Sequence, residues 1–293
     1  MLKLCLVICM NDSKYKIRLY AYYGICLFLF LLAILLLILG ITTKNVGGMV
    51  FIIISIVLFV VGVAYLSVLH LLINSLKNRF KEFVIMDAFQ TYDFYYCSRQ
   101  TGIKNNKYAI LEDEFLSLNY YKTTDDFTYF INELVVGSVR DIQFRSNDYS
   151  YLSSVKNSKK CGRIYSFNLK SDNEFKLVIT KDNNYSSLKK LDIDLANYNA
   201  FTNNIELAKK YIKTDEFNAK INKIDHYGDI FIEVLNGSLY LIIDGIKNSF
   251  EIVNREYGDI ANDVEKEIFI MNNIIDSFKF EFKPKEVKPL KIK

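Results

Sequence analysis

GICLFLFLLAILLLILGI, from Gly24 to Ile41, and MVFIIISIVLFVVGVAYLSVL, from Met49 to Leu69, decide the architecture. A helix needs about 20 predominantly apolar residues to cross the hydrocarbon core of a bilayer. The first run meets that need once Tyr20–Tyr23 are counted at the interface, and the second meets it alone. At roughly −0.3 to −0.6 kcal/mol for each central Leu, Ile or Phe, each run favours insertion by several kcal/mol. Buried core helices of a soluble protein would need a polar face, which neither run has. The linker TTKNVGG carries only Lys44 and is short enough to force an antiparallel hairpin.

Working outward, the charges fence the two runs. No charged side chain occurs between Arg18 and Lys44, or between Lys44 and Lys77. Lys3, Lys14, Lys16 and Arg18 precede the first run, and Lys77, Arg79 and Lys81 follow the second. The excess of basic residues on those flanks predicts a multi-pass protein of the cell membrane with both termini cytoplasmic. Lys14, Lys16, Arg18, Lys77, Arg79 and Lys81 are then the basic residues expected at the membrane interface. Tyr15, Tyr20, Tyr22 and Tyr23 form an aromatic belt on the same side. A cleaved signal peptide is the competing account of the first run. No small-x-small cleavage pattern follows it, and a second apolar run comes almost at once. Leu2–Met10 is too short to cross; it reads as an interfacial segment, or Met10 is the true start. His70 stands near the inner end of the second span, where an interfacial position explains it better than a proton relay.

The expected organisation is therefore residues 1–19 as a cytoplasmic or interfacial segment, 20–42 as the first span and 43–48 as a short external loop. The second span covers 49–73, a cytoplasmic α+β unit with a juxtamembrane helix covers 74–282, and a basic tail covers 283–293. Charge separates the same parts. Residues 1–81 hold eight Lys or Arg against Asp12, and the formal total is +4, so the remainder is about −3. The tail from Lys283 carries five Lys against Glu286, which leaves the body between near −7. A basic face is the usual footprint of nucleic-acid binding, so an acidic body argues against that partner. The tail's Lys excess adds attraction to anionic headgroups if it lies near the surface. Five Cys without a CxxC pair, and only two His, fit reduced thiols better than disulfides or a dense metal site.

The soluble part reads as α+β, a mainly antiparallel sheet with covering helices, on the two-helix transmembrane hairpin. Leu76, Phe80, Phe83, Val84 and Ala88 form one helical stripe, predicting that the second span continues rigidly into the cytosol. The aromatic cluster Tyr92, Phe94, Tyr95 and Tyr96 reads as core. After the polar break RQTGIKNNK comes a short helix around Glu112–Tyr121. From Glu133 the period changes toward two. ELVVGSVRDIQF reads as one strand passing through Gly137, and Arg163–Leu169 and Phe175–Thr180 as strands around the turn SDNE. DIFIEVLNGSLYLIID, Asp229–Asp244, predicts a type I′ hairpin, because Asn236-Gly237 tolerates the positive φ that both central residues need. One helix includes Leu207, Ala208, Tyr211 and Ile212; another starts near Thr214–Asp215 and carries Phe217, Ile221 and Ile224. A final long helix keeps Ile260, Val264, Ile268, Met271, Ile274 or Ile275 and Phe278 in phase until Pro284 forbids continuation.

This order of parts resembles the bacterial membrane-protein family of domain of unknown function 3137. The resemblance covers the hairpin and roughly Lys77 to Phe280. It rests on Gly137, Ile142 and Phe144 within ELVVGSVRDIQF, on Phe201 and Ala208 before Phe217 in AKKYIKTDEF, and on Tyr240 and Phe250–Glu251. The interval between Phe201 and Ala208 is shorter than the family's usual form, and the chain has little of the Gly-rich linker character of some relatives. The resemblance implies an architecture and brings no established activity.

Catalytic signatures do not occur in the sequence: no GK[ST] loop, GxGxxG, HExxH or GxSxG. Glu112-Asp113-Glu114 and Asp192-x-Asp194 are the best acidic clusters. Contiguous acids on a helix diverge, and alternate acids on a strand share a face but lack further ligands for a hard cation such as Mg²⁺. Asn184 and Asn236 fall in glycosylation triplets that a cytoplasmic position makes accidental. No catalytic residue, metal or cofactor is assigned. The expected function is a membrane-tethered cytoplasmic interaction, sensing or scaffold domain, with the lipid bilayer and a protein at the cytoplasmic face as partners. The alternative is a membrane-surface enzyme acting on a lipid or envelope precursor. A deep pocket of convergent polar groups would favour the enzyme, and a flat or strand-edge surface the binding domain.

Overall fold

The structure, a computed structural model, describes residues 2–43, 46–88, 95–97, 103, 106–120, 127–153, 159–170, 174–183, 185, 187–246, 250 and 257–284. Two compact units divide the chain, Met1–Phe83 and Val84–Lys293.

The first unit is a hairpin of two helices, α1 (Leu2–Thr42) and α2 (Val46–Ala88), the second of which runs on past the unit's boundary. Their seam fixes an antiparallel register. Phe30 meets Phe59 edge to face at 5.6 Å, and the Ser55 hydroxyl donates to the Ala33 carbonyl at 2.7 Å. Toward the other end, Cys26, Leu69 and Ile73 pack with Tyr22 and Tyr65. Gly62 lets the helices approach: a Cβ there would stand 3.3 Å from the Phe30 ring. Outside the seam, large apolar side chains such as Leu27, Phe28, Ile34, Ile53, Ile56 and Val60 are exposed. Both helices are long and apolar enough to cross a membrane, over 16–42 and 46–85. Residues 2–19, expected as a separate segment, continue α1. Likewise the second span and the expected juxtamembrane helix are a single helix, though Phe83 of the expected stripe is exposed.

The second unit is built on nine antiparallel strands: β1 (Tyr95–Cys97), β2 (Phe127–Val139), β3 (Ile142–Ser153), β4 (Lys159–Asn168), β5 (Leu177–Thr180), β6 (Lys189–Leu195), β7 (Tyr198–Thr202), β8 (Asp229–Leu235) and β9 (Ser238–Asp244). Their spatial order is β1-β2-β3-β4-β9-β8-β5-β7-β6. The α+β architecture on a helical hairpin is thus as the sequence indicates. At Asn236-Gly237 both residues take positive φ (51° and 71°), and Leu235 pairs with Ser238 across the turn. That is the type I′ hairpin the Asn-Gly pair predicts.

Two strand readings change. ELVVGSVRDIQF is two strands, not one, because the chain reverses at Arg140-Asp141, where φ is 52° and 61°. Arg-Asp lacks the Gly or Asn that marks such a turn, so the alternation of side chains reads straight through it. β4 and β5 flank no common turn; the β8–β9 hairpin lies between them in the sheet. A third reading concerns the last helix, which ends at Asp276, well before Pro284. Phe278, Phe282 and Pro284 instead bridge to Ile212, Leu169 and Ile142 in extended backbone.

Helices and loops cover both faces of the sheet. On one face lie α4 (Ile205–Tyr211), α5 (Thr214–Ile221) and α6 (Tyr257–Asp276). Phe217 of α5 is fully buried, edge-on to Phe278 at 5.8 Å and to Tyr198 at 6.4 Å. Across the other face runs a strap, residues 106–120, which contains the short helix α3 (Glu112–Ser117). Phe115 plugs the strap into the sheet, stacked on Tyr129 at 4.8 Å and tilted against Tyr149 at 5.0 Å. Burying an aromatic side chain of that size supplies about 1.5–3 kcal/mol relative to exposure.

Candidate functional site

The strap is held to the sheet by polar bonds at each step. Asn147 Oδ1 accepts from the Ile110 amide at 3.0 Å. Glu114 receives both guanidinium nitrogens of Arg145, one of them at 2.9 Å, and the Tyr240 hydroxyl at 2.7 Å. Glu233, buried in the middle of β8, accepts from the Asn119 amide at 2.7 Å. One cleft opens at each end of the strap.

The larger, about 240 Å³, lies where β9 ends and β8 begins, and it is lined by Tyr120, Lys160, Lys181, Asp182, Asp229 and Asp244 among others. Asp229 and Asp244 are register partners across the β8–β9 pair, and Gly162 of β4 lies opposite Asp244. Two glycines shape this corner. A Cβ at Gly228 would stand 1.9 Å from the Asp244 carbonyl, and one at Gly162 would fall 2.6 Å from the Tyr149 hydroxyl. With Gly162 in place, that hydroxyl donates to Asp244 Oδ1 at 3.1 Å and lies 3.2 Å from the Tyr120 hydroxyl. Burial pushes the Tyr149 and Tyr120 hydroxyls above their ordinary range, with the Asp244 carboxylate adding to it. They stay protonated and act as donors, not as bases or nucleophiles. Lys181 bonds Asp229 at 3.0 Å and Asp225 at 3.2 Å, whereas Lys160 stands 3.8 Å from Asp244. Such a cleft offers carboxylates, ammonium groups and ring faces to a polar partner.

The smaller cleft, about 170 Å³, lies between the start of the strap and β3–β4, lined by Lys107, Tyr108, Gln143, Arg145, Ser166 and Asn168.

A third polar cluster is buried. Arg163 of β4 is fully buried between Asp148, at 2.7 Å, and Glu267 of α6, at 2.8 Å. Ser146 Oγ and the Glu133 carbonyl accept its other donors at 3.0 and 3.3 Å. Tyr165 donates to Glu267 at 2.9 Å, and the Phe250 ring lies 5.2 Å from the guanidinium carbon. Burial raises the Glu267 carboxyl above its usual range despite the opposing pull of Arg163 and Tyr165. The cluster ties α6 to the sheet.

The residues singled out in the sequence fall elsewhere. Lys16, Arg18 and Arg79 are exposed, Lys77 is half-buried and Lys81 is buried. Lys14 lies on α1, but its side chain is outside the described residues, as are Tyr92, Phe94 and the tail 285–293. Glu114 is a clasp on Arg145 and Tyr240, while Glu112 and Asp113 face solvent in the first turn of α3, where the helix dipole favours acids. Asp194 caps its own turn, accepting from the Ala196 amide at 3.1 Å. Among the described residues, no group of three or more His, Cys, Asp or Glu is placed to share a metal ion. His70 bonds Asn74 at 2.8 Å, and His226 packs on Tyr227 at 3.9 Å. The two clefts were not visible in the sequence, since their residues meet only through the sheet's order; the nearest signal was Asp229 and Asp244 at the two ends of the Asn-Gly hairpin.

Comparison with protein-family profiles, curated proteins and solved structures gives no match.

Proposed function

We propose that the protein is a two-span integral membrane protein of the cell membrane with both termini cytoplasmic, whose α+β unit is a tethered interaction and sensing domain for a protein partner. One observation carries this reading. A helical hairpin with exposed apolar outer faces shares a chain with a folded unit that presents an acid-rich cleft. The basic flanks of the spans support the orientation. The cleft's chemistry sets the partner: Asp182, Asp229 and Asp244 outnumber Lys160 and Lys181, and the body around them is near −7, so the partner offers a basic segment. The β6 edge of the sheet is a poorer docking site. β6 carries Lys189, Lys190, Asp192 and Asp194 and a register shift between Leu191 and Leu195, both devices that blunt an edge. Membership in the family of domain of unknown function 3137 belongs to the same proposal and rests on the residue pattern alone.

Charge reversal tests the site. A photo-crosslinker introduced at Asn183, beside the cleft, should capture the same partner repeatedly in native membranes. Joint Asp182→Lys and Asp229→Lys substitution should abolish that capture, and raised salt should weaken it. Capture that ignores both changes would remove the acidic cleft as the docking site. A phosphatase reporter fused after Lys293 addresses orientation, since activity there would mean an exported C-terminus.

A further inference from the structure

The smaller cleft has a chemistry of its own. Ser166 is 1% exposed, and its hydroxyl, buried in the wall, has no partner among the described residues. Buried hydroxyls in native strands are nearly always bonded, so one that lines a cavity is an invitation to a ligand. The other walls supply donors. Asn168 accepts from the Ser238 hydroxyl at 3.4 Å through its Oδ1, which leaves its amide nitrogen to donate. Gln143 brings a second carboxamide. The Arg145 charge is neutralised by its two-pronged bond to Glu114. Lys107 is therefore the surplus charge of the cleft. Its ammonium lies 4.7 Å from the Tyr108 ring centroid and makes no ion pair with a described residue.

We propose that this cleft binds a phosphate group. An ammonium, a hydroxyl and two carboxamides converge on one small space, a donor set suited to an anion with several acceptor oxygens. A carboxylate has two oxygens and would leave part of the set unmet. The volume of about 170 Å³ admits a single phosphate with its ester substituent extending outward, and among the described residues no carboxylate lines the cleft to repel the charge. The group's source is either a free phosphate compound or a phospholipid headgroup, since the same donors meet the same oxygens.

The test uses the full chain in detergent. Its melting temperature is followed while inorganic phosphate, or short-chain phosphatidic acid, is titrated against chloride at equal ionic strength. A saturable rise is expected, because a ligand of the folded state stabilises it by mass action. A response to inorganic phosphate assigns a free phosphate compound, and a response to phosphatidic acid alone assigns the headgroup. Lys107→Ala and Ser166→Ala should each weaken the apparent affinity about tenfold or more, while Lys209→Ala on α4 keeps the wild-type response. Ser166→Ala should melt no lower than wild type without ligand, since it removes an unbonded hydroxyl. A lost response therefore reports the site and not the fold. If Ser166→Ala fails to fold, the exposed Lys107 decides alone. The proposal is overturned if neither phosphate source gives a saturable rise, or if Lys107→Ala responds as wild type does.

Discussion

Arg163 holds two carboxylates from different layers, Asp148 on β3 and Glu267 on α6, with none of its own surface exposed. Removing the cation leaves two acids buried without it, so Arg163→Met should cost about 3–5 kcal/mol in chemical denaturation at neutral pH. That loss should shrink in acid, as the Glu267 carboxyl, already raised by burial, protonates. Glu267→Gln keeps the hydrogen-bonding shape, and burial already favours the protonated form, so its cost should stay near 1 kcal/mol. Equal losses in the two variants would show that packing, not charge, sets the cluster's value. The Asp276 carboxyl shifts the other way from Glu267. Burial would raise its carboxyl, but hydrogen bonds from Arg140 and Lys220 outweigh that and hold it below the ordinary value of 3.8. A depressed acid contributes fully above its unfolded value and loses that contribution as pH falls through the folded one. Asp276→Asn should therefore melt below wild type at neutral pH, with the gap closing under about pH 3.8; a gap unchanged by acid would sink this account.

At the scale of elements, the two hairpin turns show what the sequence disclosed. Asn236-Gly237 was legible because its residue types accept the left-handed backbone that the turn needs. Arg140-Asp141 adopts the same backbone without that signature, and what holds it includes the Arg140 bond to Asp276 at 2.7 Å. Asp141→Gly should relieve the left-handed cost and raise stability by about 1 kcal/mol, read from the denaturation midpoint. No gain would mean that the Asp141 side chain offsets the strain locally. The apolar spans, the final amphipathic helix and the Asn-Gly hairpin were likewise readable, each from local periodicity or turn chemistry. The clefts were not. Lys160 and Asp244 face each other because β4 pairs with β9, and Ser166 meets Lys107 because the strap crosses the sheet. Those are consequences of strand order, which no local pattern encodes.

For the whole molecule, the division at Val84 makes a prediction about solubility. The large apolar side chains exposed on the hairpin are concentrated in the first unit. A chain that begins at Lys77 should stay monodisperse without detergent and melt in one cooperative transition, whereas the full chain needs detergent. Aggregation of the shorter chain by light scattering would count against two separate units. The sheet's order also bears on how the protein is made. β4 waits for β9, with Gly162 opposite Asp244, and β5 waits for β8, with Leu177 opposite Val234. Pairings this distant along the chain are slow to form. While a ribosome is still delivering Ile224, the strands on either side of the vacant centre each present an unpaired edge of the kind that other chains can join. The Asn-Gly hairpin is thus the keystone of the sheet, set last, and the nascent chain is most open to misassembly just before it arrives.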